Sequence, residues 1–431
     1  MVRVPPAGRV APVRRRDLLS PAPRRRVGAA APVALLLALT ACGGVLDPET
    51  SAEGADGAGP AAACEPAPLE ERAAAVLHVG LPEVTSADDP LVAEVVGLGV
   101  GGIFVNDGNI ESEDQLAELT AGIKEQAAGR PLLLSTDEES GRVSDLRDLL
   151  GNTPSPRRLA ANNDPAEMRA YAADLGREMA ELGLDVNLAP LLDLDDGPSR
   201  GIIGDRAFSA DPELASAYGL AFARGLEDAG VIPTVKHFPG HGRSSTDTHA
   251  GTDVVETPLE ELRATDLLPF QDAVDQGVPV IMFNHLSYAA LDPDLPASMS
   301  PKAYALLRDM RFDGVAMTDS IGMGSIYPRW DFPDAAVTAV AAGADVVLAS
   351  GAVLATDPDA AVRMRDALVA AVEGGTLPEQ RLDEAAARVV ALAGGDPEAF
   401  ACVAADAYVF TPDPATEPDR PTGSATATPS P

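Results

Sequence analysis

The stretch IPTVKHFPGHGRSSTDTHAG (residues 232–251) decides how this chain is to be read. Its first seven residues, 232–238, form a short, largely apolar run that ends in Lys236 and His237. Such a run has the character of a strand buried on both faces of a parallel sheet, with its polar groups held back for one end. The remainder is rich in glycine, proline and hydroxyl groups, as a loop is. Three of the chain's five histidines (His237, His241, His249) and one of its three lysines (Lys236) fall within these twenty residues.

Seven similar runs lie on either side, at 75–81, 101–107, 131–137, 185–194, 278–285, 314–320 and 345–351. Helical patterns separate them, for example LEELRATDLLPFQDAVDQG (259–277) and PKAYALLRDMRF (301–312). Eight strand–helix repeats fit an α/β fold of the (β/α)8, or TIM-barrel, type as one catalytic domain over 68–400, although Rossmann-like folds share the alternation. The polar punctuation favours the barrel. Asp137, Asp193, Lys236-His237, Asn284-His285 and Asp319 each stand at the C-terminal end of a run. In a barrel those ends meet on one face, where active sites are built.

The termini carry an address. Residues 1–26 hold eight arginines and one acid and lead into VGAAAPVALLLALTAC (27–42). A basic region, a short apolar region and small residues before a cut describe an export signal over 1–41, too short for a membrane span of ~20 apolar residues. Its ending, Leu39-Thr40-Ala41-Cys42, resembles a bacterial lipobox. Cys42 is then the expected lipidation site, with the protein exported and held on the outer face of the cell membrane. Residues 42–67 read as a flexible tether, and the Pro- and Thr-rich 411–431 as a disordered tail. Removing 1–41 leaves 24 basic against 65 acidic residues, a formal charge of −41. That excludes nucleic acid as a partner and leaves the lipid anchor as the one membrane contact. Cys64 precedes the first expected strand and Cys402 follows the last expected helix. Barrel ends are neighbours, so the two are expected to pair in an oxidising compartment.

Taken with MTDSIGM (317–323), the motif KHFPGHG…DTH resembles glycoside hydrolase family 3, in its β-N-acetylglucosaminidase branch. The likeness runs over roughly residues 70–395 and includes DEESGRV, NLAPLLDL, GDRAFS and FNHLSYAALDPDLPAS. Lipoprotein members of the branch in actinobacteria share the signal layout. The resemblance implies an exo-acting β-N-acetylhexosaminidase that releases terminal β-linked N-acetylglucosamine with retention, through a covalent glycosyl-enzyme. It implies Asp319 as nucleophile, His249 as acid/base and Asp247 as the group that orients His249. Asp137, Arg206, Lys236 and His237 match sugar contacts, and Met323 is a candidate for the pocket wall. Pro239, Gly240 and Gly242 read as turn formers, the glycines for positive φ, and His241 as structural within that turn. No cofactor or metal is implied, the natural substrate is expected among peptidoglycan-derived glycans, and the protein is expected to be a monomer. Two departures bear on the sugar contacts: Ser140 stands where the family usually has glycine, and Asp145 where it usually has arginine. Arg147 is a candidate to replace that arginine.

Three rival readings remain open at this level. Strand-end His and Asp residues suit a metal hydrolase, but Pro239 and Gly240 between His237 and His241 keep the two off a common helix face. A lipid-tethered sugar-binding barrel without turnover is the non-catalytic alternative. Transfer of the sugar to phosphate is the third.

Overall fold

The computed structural model describes residues 64–404 apart from 245, 250 and 328. The export signal, Cys42, most of the tether and the 411–431 tail lie outside the described residues. Among the described residues no helix is long and apolar enough to cross a membrane.

The eight runs become eight parallel strands: β1 (Leu77–Gly80), β2 (Gly102–Phe104), β3 (Leu133–Thr136), β4 (Val186–Asn187), β5 (Ile232–Phe238), β6 (Val280–Phe283), β7 (Val315–Thr318) and β8 (Val347–Ala349). Each pairs with the next in chain order as far as β7, and β1 pairs with β8. A Met317–Val346 bridge, with Thr318 N donating to Val346 O at 3.0 Å, closes the ring. This is the (β/α)8 barrel. An open Rossmann sheet would show a reversal in strand order, and none occurs.

Alternation along the strands explains why both faces are apolar. Val186, Leu188, Ile232, Val280, Met282, Val315, Met317 and Leu348 pack together as a lumen cluster, joined from below by Val389 and Leu392. Their neighbours in sequence, such as Leu134, Val235, Ile281, Ala316 and Val347, belong to the larger core shared with the helices. Side chains of opposite parity therefore feed two cores, which is why the runs look continuous rather than alternating.

The fourth run is the least regular. Ten residues read as strand, but only Val186 and Asn187 are in regular register. Pro190 has no N–H to give to a ladder. Pairing resumes through Lys236 N to Pro190 O (3.1 Å) and Leu192 N to Lys236 O (2.6 Å). The 259–277 helix is likewise two helices, Leu259–Ala264 and Leu268–Asp275, because Pro269 sits in the first turn of the second. A hairpin (Glu138–Ser140 with Val143–Ser144) and a three-stranded patch (Val254–Val255, Ser287–Tyr288, Asp292–Pro296) were not legible from the sequence pattern.

Two charged clusters hold the frame away from the catalytic face. Arg72 in the helix Leu69–Ala75 bonds Glu379 (2.8 Å) and Asp383 in the helix Glu379–Leu392. Asp345, fully buried just before β8, takes Arg308 (2.6 Å), Arg388 (3.1 Å) and Arg381. Its place at the N-terminal end of a strand marks it as part of the barrel's stability. Cys64 and Cys402 form a disulfide, and beside it Ala67 N donates to Phe400 O at 2.8 Å.

Candidate active site

The C-terminal ends of the strands surround a cavity of about 470 Å3. Asp137 and Glu139 follow β3, Lys236 and His237 end β5, Met282 belongs to β6, Asp319 follows β7 and Leu348 lies in β8; all line it, together with Arg206 and Met323. Parallel strands of similar length bring their ends to one level, so Asp137 and Asp319, 182 residues apart in sequence, line the same cavity.

A charge network forms one wall. Arg206 grips Glu139 with both Nε and Nη2 at 2.7 Å. Lys236 Nζ sits between Glu139 Oε1 (2.7 Å) and Asp137 Oδ1 (2.5 Å). Burial alone would raise the Glu139 carboxyl, but Arg206 and Lys236 hold it well below the usual carboxylate range. Burial likewise opposes charge on Lys236, yet Asp137 and Glu139 outweigh it and keep the ammonium protonated. Lys236 has one N–H left over, Arg206 keeps Nη1, and Asp137 keeps its second oxygen, so each can reach a hydroxyl.

Asp319 is half-buried and accepts from Ser320 N at 2.7 Å. Burial pushes its carboxyl up, but His285, His237, the Ser320 N–H and Lys236 bring it below the ordinary range, so it is a carboxylate. His285 braces this strand end from behind: Nε2 donates to Ser320 O at 2.9 Å while Nδ1 meets Ser298 Oγ at 2.7 Å. Asn284 similarly bonds His237 O and Tyr288 Oη. Asn284 and His285 are therefore supports, not cavity walls, although the sequence groups them with the converging polar ends.

Asp193 organises the stretch quoted first. Its Oδ2 takes His237 Nδ1 at 2.6 Å and its Oδ1 takes His241 N at 2.6 Å. Holding Nδ1–H on a carboxylate turns His237 Nε2 away from Asp193. Burial lowers the His241 ring to about 4, so it is neutral at ordinary pH. His241 does more than shape a turn, because it also lines the cavity and packs edge-on to His237 with ring centres 5.8 Å apart. Gly240 has φ +122°, as a turn glycine does, but Gly242 does not have positive φ. Its reason is close approach: a Cβ there would lie 1.9 Å from Leu194 O.

The loop that follows carries Asp247 and His249. Asp247 Oδ1 accepts from both His249 N and His249 Nδ1, each at 2.9 Å. Those two bonds hold Asp247 below the usual carboxylate range, and they leave His249 Nε2 free. His249 is three-quarters exposed, at the mouth of the cavity. Gly324 N donates to His249 O (3.1 Å) and Ser325 N to Thr248 O (3.0 Å), so this loop rests on the segment beyond Asp319.

The two departures have distinct outcomes. Ser140 holds φ +70°, a left-handed conformation that suits glycine, and its Oγ bonds Tyr171 Oη at 2.8 Å. Asp145 accepts from Asp137 N (3.0 Å) and Thr136 Oγ1 (3.2 Å), and burial, then the charge of Asp137, pushes it up to about 7. Arg147 does not line the cavity; its Nη2 donates to Arg142 O and Gly141 O. Sequence reading also gave no role to Glu139, whose only signal was its place beside Asp137. Among the described residues, no three His, Cys, Asp or Glu side chains are grouped to hold a metal ion.

Comparison with known proteins gives the family. Residues 70–392 match the glycosyl hydrolase family 3 N-terminal domain. The chain is 39% identical over 337 residues to the beta-hexosaminidase LpqI of Mycobacterium tuberculosis, covering 76% of this chain and 83% of that protein. Among solved structures, a family 3 glycosyl hydrolase of Mycobacterium smegmatis superposes with a TM-score of 0.68 at 37% identity, covering 75% of this chain and 97% of the other. A family 3 beta-N-acetylglucosaminidase of Paenibacillus gives 0.71 at 34% identity, over 75% of this chain and 62% of the other. The chain belongs to glycosyl hydrolase family 3.

Proposed function

We propose that this protein is an exported, lipid-anchored β-N-acetylhexosaminidase that releases terminal β-linked N-acetylglucosamine with retention of configuration. The observation that carries it is the pairing, in one cavity, of a half-buried ionised carboxylate (Asp319) with a carboxylate-held imidazole (Asp247–His249).

In the first step the Asp319 carboxylate attacks the anomeric carbon. The bond to the leaving oxygen breaks, and that oxygen takes the proton carried on His249 Nε2. In the second, His249 Nε2 removes a proton from water as its oxygen attacks the same carbon, and Asp319 leaves as a carboxylate. Asp247 fixes the ring orientation and offsets the imidazolium charge in both. Asp137, Lys236, Arg206 and His237 hold the hydroxyls of the sugar, and Met323 with Met282 gives it an apolar wall. Peptidoglycan-derived glycans are the natural substrate by address, since Cys42 would place the enzyme on the outer face of the cell membrane. The proposed working unit is the monomer, since the strand ends of one barrel supply the nucleophile, the acid/base and the sugar contacts.

The deciding experiment is nitrophenol release from the β-N-acetylglucosaminide and the β-glucoside by the wild type and Asp319→Ala, with the anomer formed first read by proton NMR. Activity on the acetylamino sugar, β product and loss in the variant are the expected results. An α product would overturn retention. A dependence on added phosphate would replace hydrolysis by phosphorolysis, and no turnover at all would leave a tethered sugar-binding barrel.

A further inference from the structure

His241 takes no part in the two chemical steps above, yet it stands where the sugar contacts and the proton-transfer group meet. Its backbone N–H donates to Asp193 Oδ1 at 2.6 Å, the same oxygen that accepts from His237 N at 3.3 Å. Its ring lies edge-on to His237 and reaches toward Thr248, the residue between Asp247 and His249, with Nε2 3.5 Å from Thr248 Oγ1. His241 is 4% exposed, and its Nδ1 has no hydrogen-bond partner among the described residues.

The unpaired nitrogen fixes the tautomer. Burial keeps the ring neutral, so it carries a single N–H. A buried N–H is rarely left without an acceptor, which places the proton on Nε2, where it donates to Thr248 Oγ1. Thr248 is 3% exposed, although the side chains of Asp247 and His249 on either side are about half and three-quarters exposed. The segment Asp247–His249 therefore turns one side chain inward, onto His241. From its other edge, Ser325 N and Gly324 N donate to Thr248 O and His249 O. At 3.5 Å the bond from His241 to Thr248 is long, as hydrogen bonds in a catalytic site often are before substrate binds.

We propose that His241 is a positioning residue for proton transfer, its Nε2–H holding the Thr248 hydroxyl so that His249 is kept in register with the sugar contacts at the end of β5. The inference rests on the glycosidase reading. Among the described residues the His249 ring bonds only Asp247, which rides on the same segment. That pair fixes the ring relative to the segment, but not the segment relative to the sugar. Gly324 and Ser325 tie the segment to the chain beyond Asp319, and Thr248 ties it to the stretch that carries Lys236 and His237. Asp193 then serves both ends: Oδ2 orients His237, and Oδ1 anchors the backbone from which His241 reaches Thr248. A displacement of about 1 Å in a catalytic group can cost on the order of 10²-fold, so a bond that sets this distance carries kinetic weight.

The test compares kcat/KM on an N-acetylglucosamine disaccharide with kcat/KM on the nitrophenyl glycoside, whose leaving group needs no proton. Both values extend only to release of the leaving group, so their ratio isolates proton donation and a general loss of activity or of folded protein cancels. In Thr248→Val and in His241→Leu the ratio should fall about threefold to tenfold from wild type, as the loss of one neutral hydrogen bond allows. Thr248→Ser keeps a hydroxyl and His241→Gln keeps an N–H, so each should recover the ratio. In a His249→Ala background neither Thr248→Val nor His241→Leu should move it further, because the positioned group is gone. A purely structural role would lower both substrates alike and leave the ratio unchanged. An unmoved ratio, or a further fall in the His249→Ala background, overturns the proposal. Amide hydrogen exchange at Gly324 and Ser325 reads the same bond without turnover: both amides should exchange about threefold to tenfold faster in Thr248→Val than in wild type. An enzyme inert on every N-acetylglucosaminide would refute the hydrolase reading alone; the role of His241 in holding Thr248 would then stand on that faster exchange and fall on equal exchange.

Discussion

Glu139→Gln removes one charge from the middle of the cavity wall while keeping the side chain's size. The wild-type carboxylate is 1% exposed and meets Arg206 at two nitrogens and Lys236 at a third, all at 2.7 Å. At an effective dielectric of ~20, each cation attracts it by on the order of 5 kcal/mol before desolvation is counted. Breaking such a buried set by removing one partner costs about 3–5 kcal/mol net, because the cations stay buried with less compensation. The ~340 described residues, at ~2.1 cal/mol/K each, give an unfolding entropy of ~0.7 kcal/mol/K and hence a fall of ~4–7 °C in Tm. Thermal unfolding followed by circular dichroism at pH 7 measures it. The pH dependence is a second check. Arg206 and Lys236 depress the Glu139 carboxyl against the upward push of burial, so its contribution is present above the unfolded carboxylate value near ~4.3 and is lost as pH falls below it. The gap between wild type and variant should therefore narrow below about pH 4. Adding Arg206→Met should cost less than the sum of the two single changes, since both act on one pair. A Tm within ~1 °C of wild type at pH 7, or strict additivity in the double variant, would refute the reasoning.

Three further outcomes follow from the same site. Asp247→Ala and His249→Ala should each lower kcat on an N-acetylglucosamine disaccharide by about 10²–10⁴, and far less on the nitrophenyl glycoside, whose leaving group needs no proton; equal losses on both would remove His249 from proton transfer. Burial and Asp137 raise Asp145 to about 7, so its stabilising share is complete below the unfolded value near ~3.9 and disappears as pH climbs to about 7. Asp145→Asn should accordingly gain Tm relative to wild type between pH 4 and 7, by a few kcal/mol equivalent at most, and a constant offset would contradict it. Ser140→Gly should melt above Ser140→Ala by about 1 kcal/mol equivalent, because both lose the bond to Tyr171 but only glycine relaxes at φ +70°.

The barrel was legible because its strands are short, apolar on both faces and closed by polar residues, a pattern that survives without any knowledge of partners. Asp137, Lys236, His237 and Asp319 were visible for that reason, and Asp247 and His249 through the resemblance to glycoside hydrolase family 3. Glu139 was not, since its role depends on Arg206, 67 residues away in the chain, and on a hairpin whose turn no periodicity announces. Asp193 could be seen as a strand end but not as the acceptor for His237 and His241, because that requires β4 and the loop after it to lie beside β5. Asn284 and His285 show the converse. Polar residues at a strand end can face backward, and only packing around Tyr288, Ser298 and Ser320 reveals which way they turn.

The Cys64–Cys402 bond has a topological result. It joins residues 338 apart, so every side chain named in the site lies inside one covalent ring. A protease that cuts once in an exposed segment, such as the loop bearing His249, opens the ring without releasing anything. The nicked enzyme remains a single molecule until it is reduced, and on a gel it runs as two pieces only with reductant present. At the exported location proposed above, where damaged chains are not replaced in place, an enzyme tied in this way would hold its two halves together through its first cleavage.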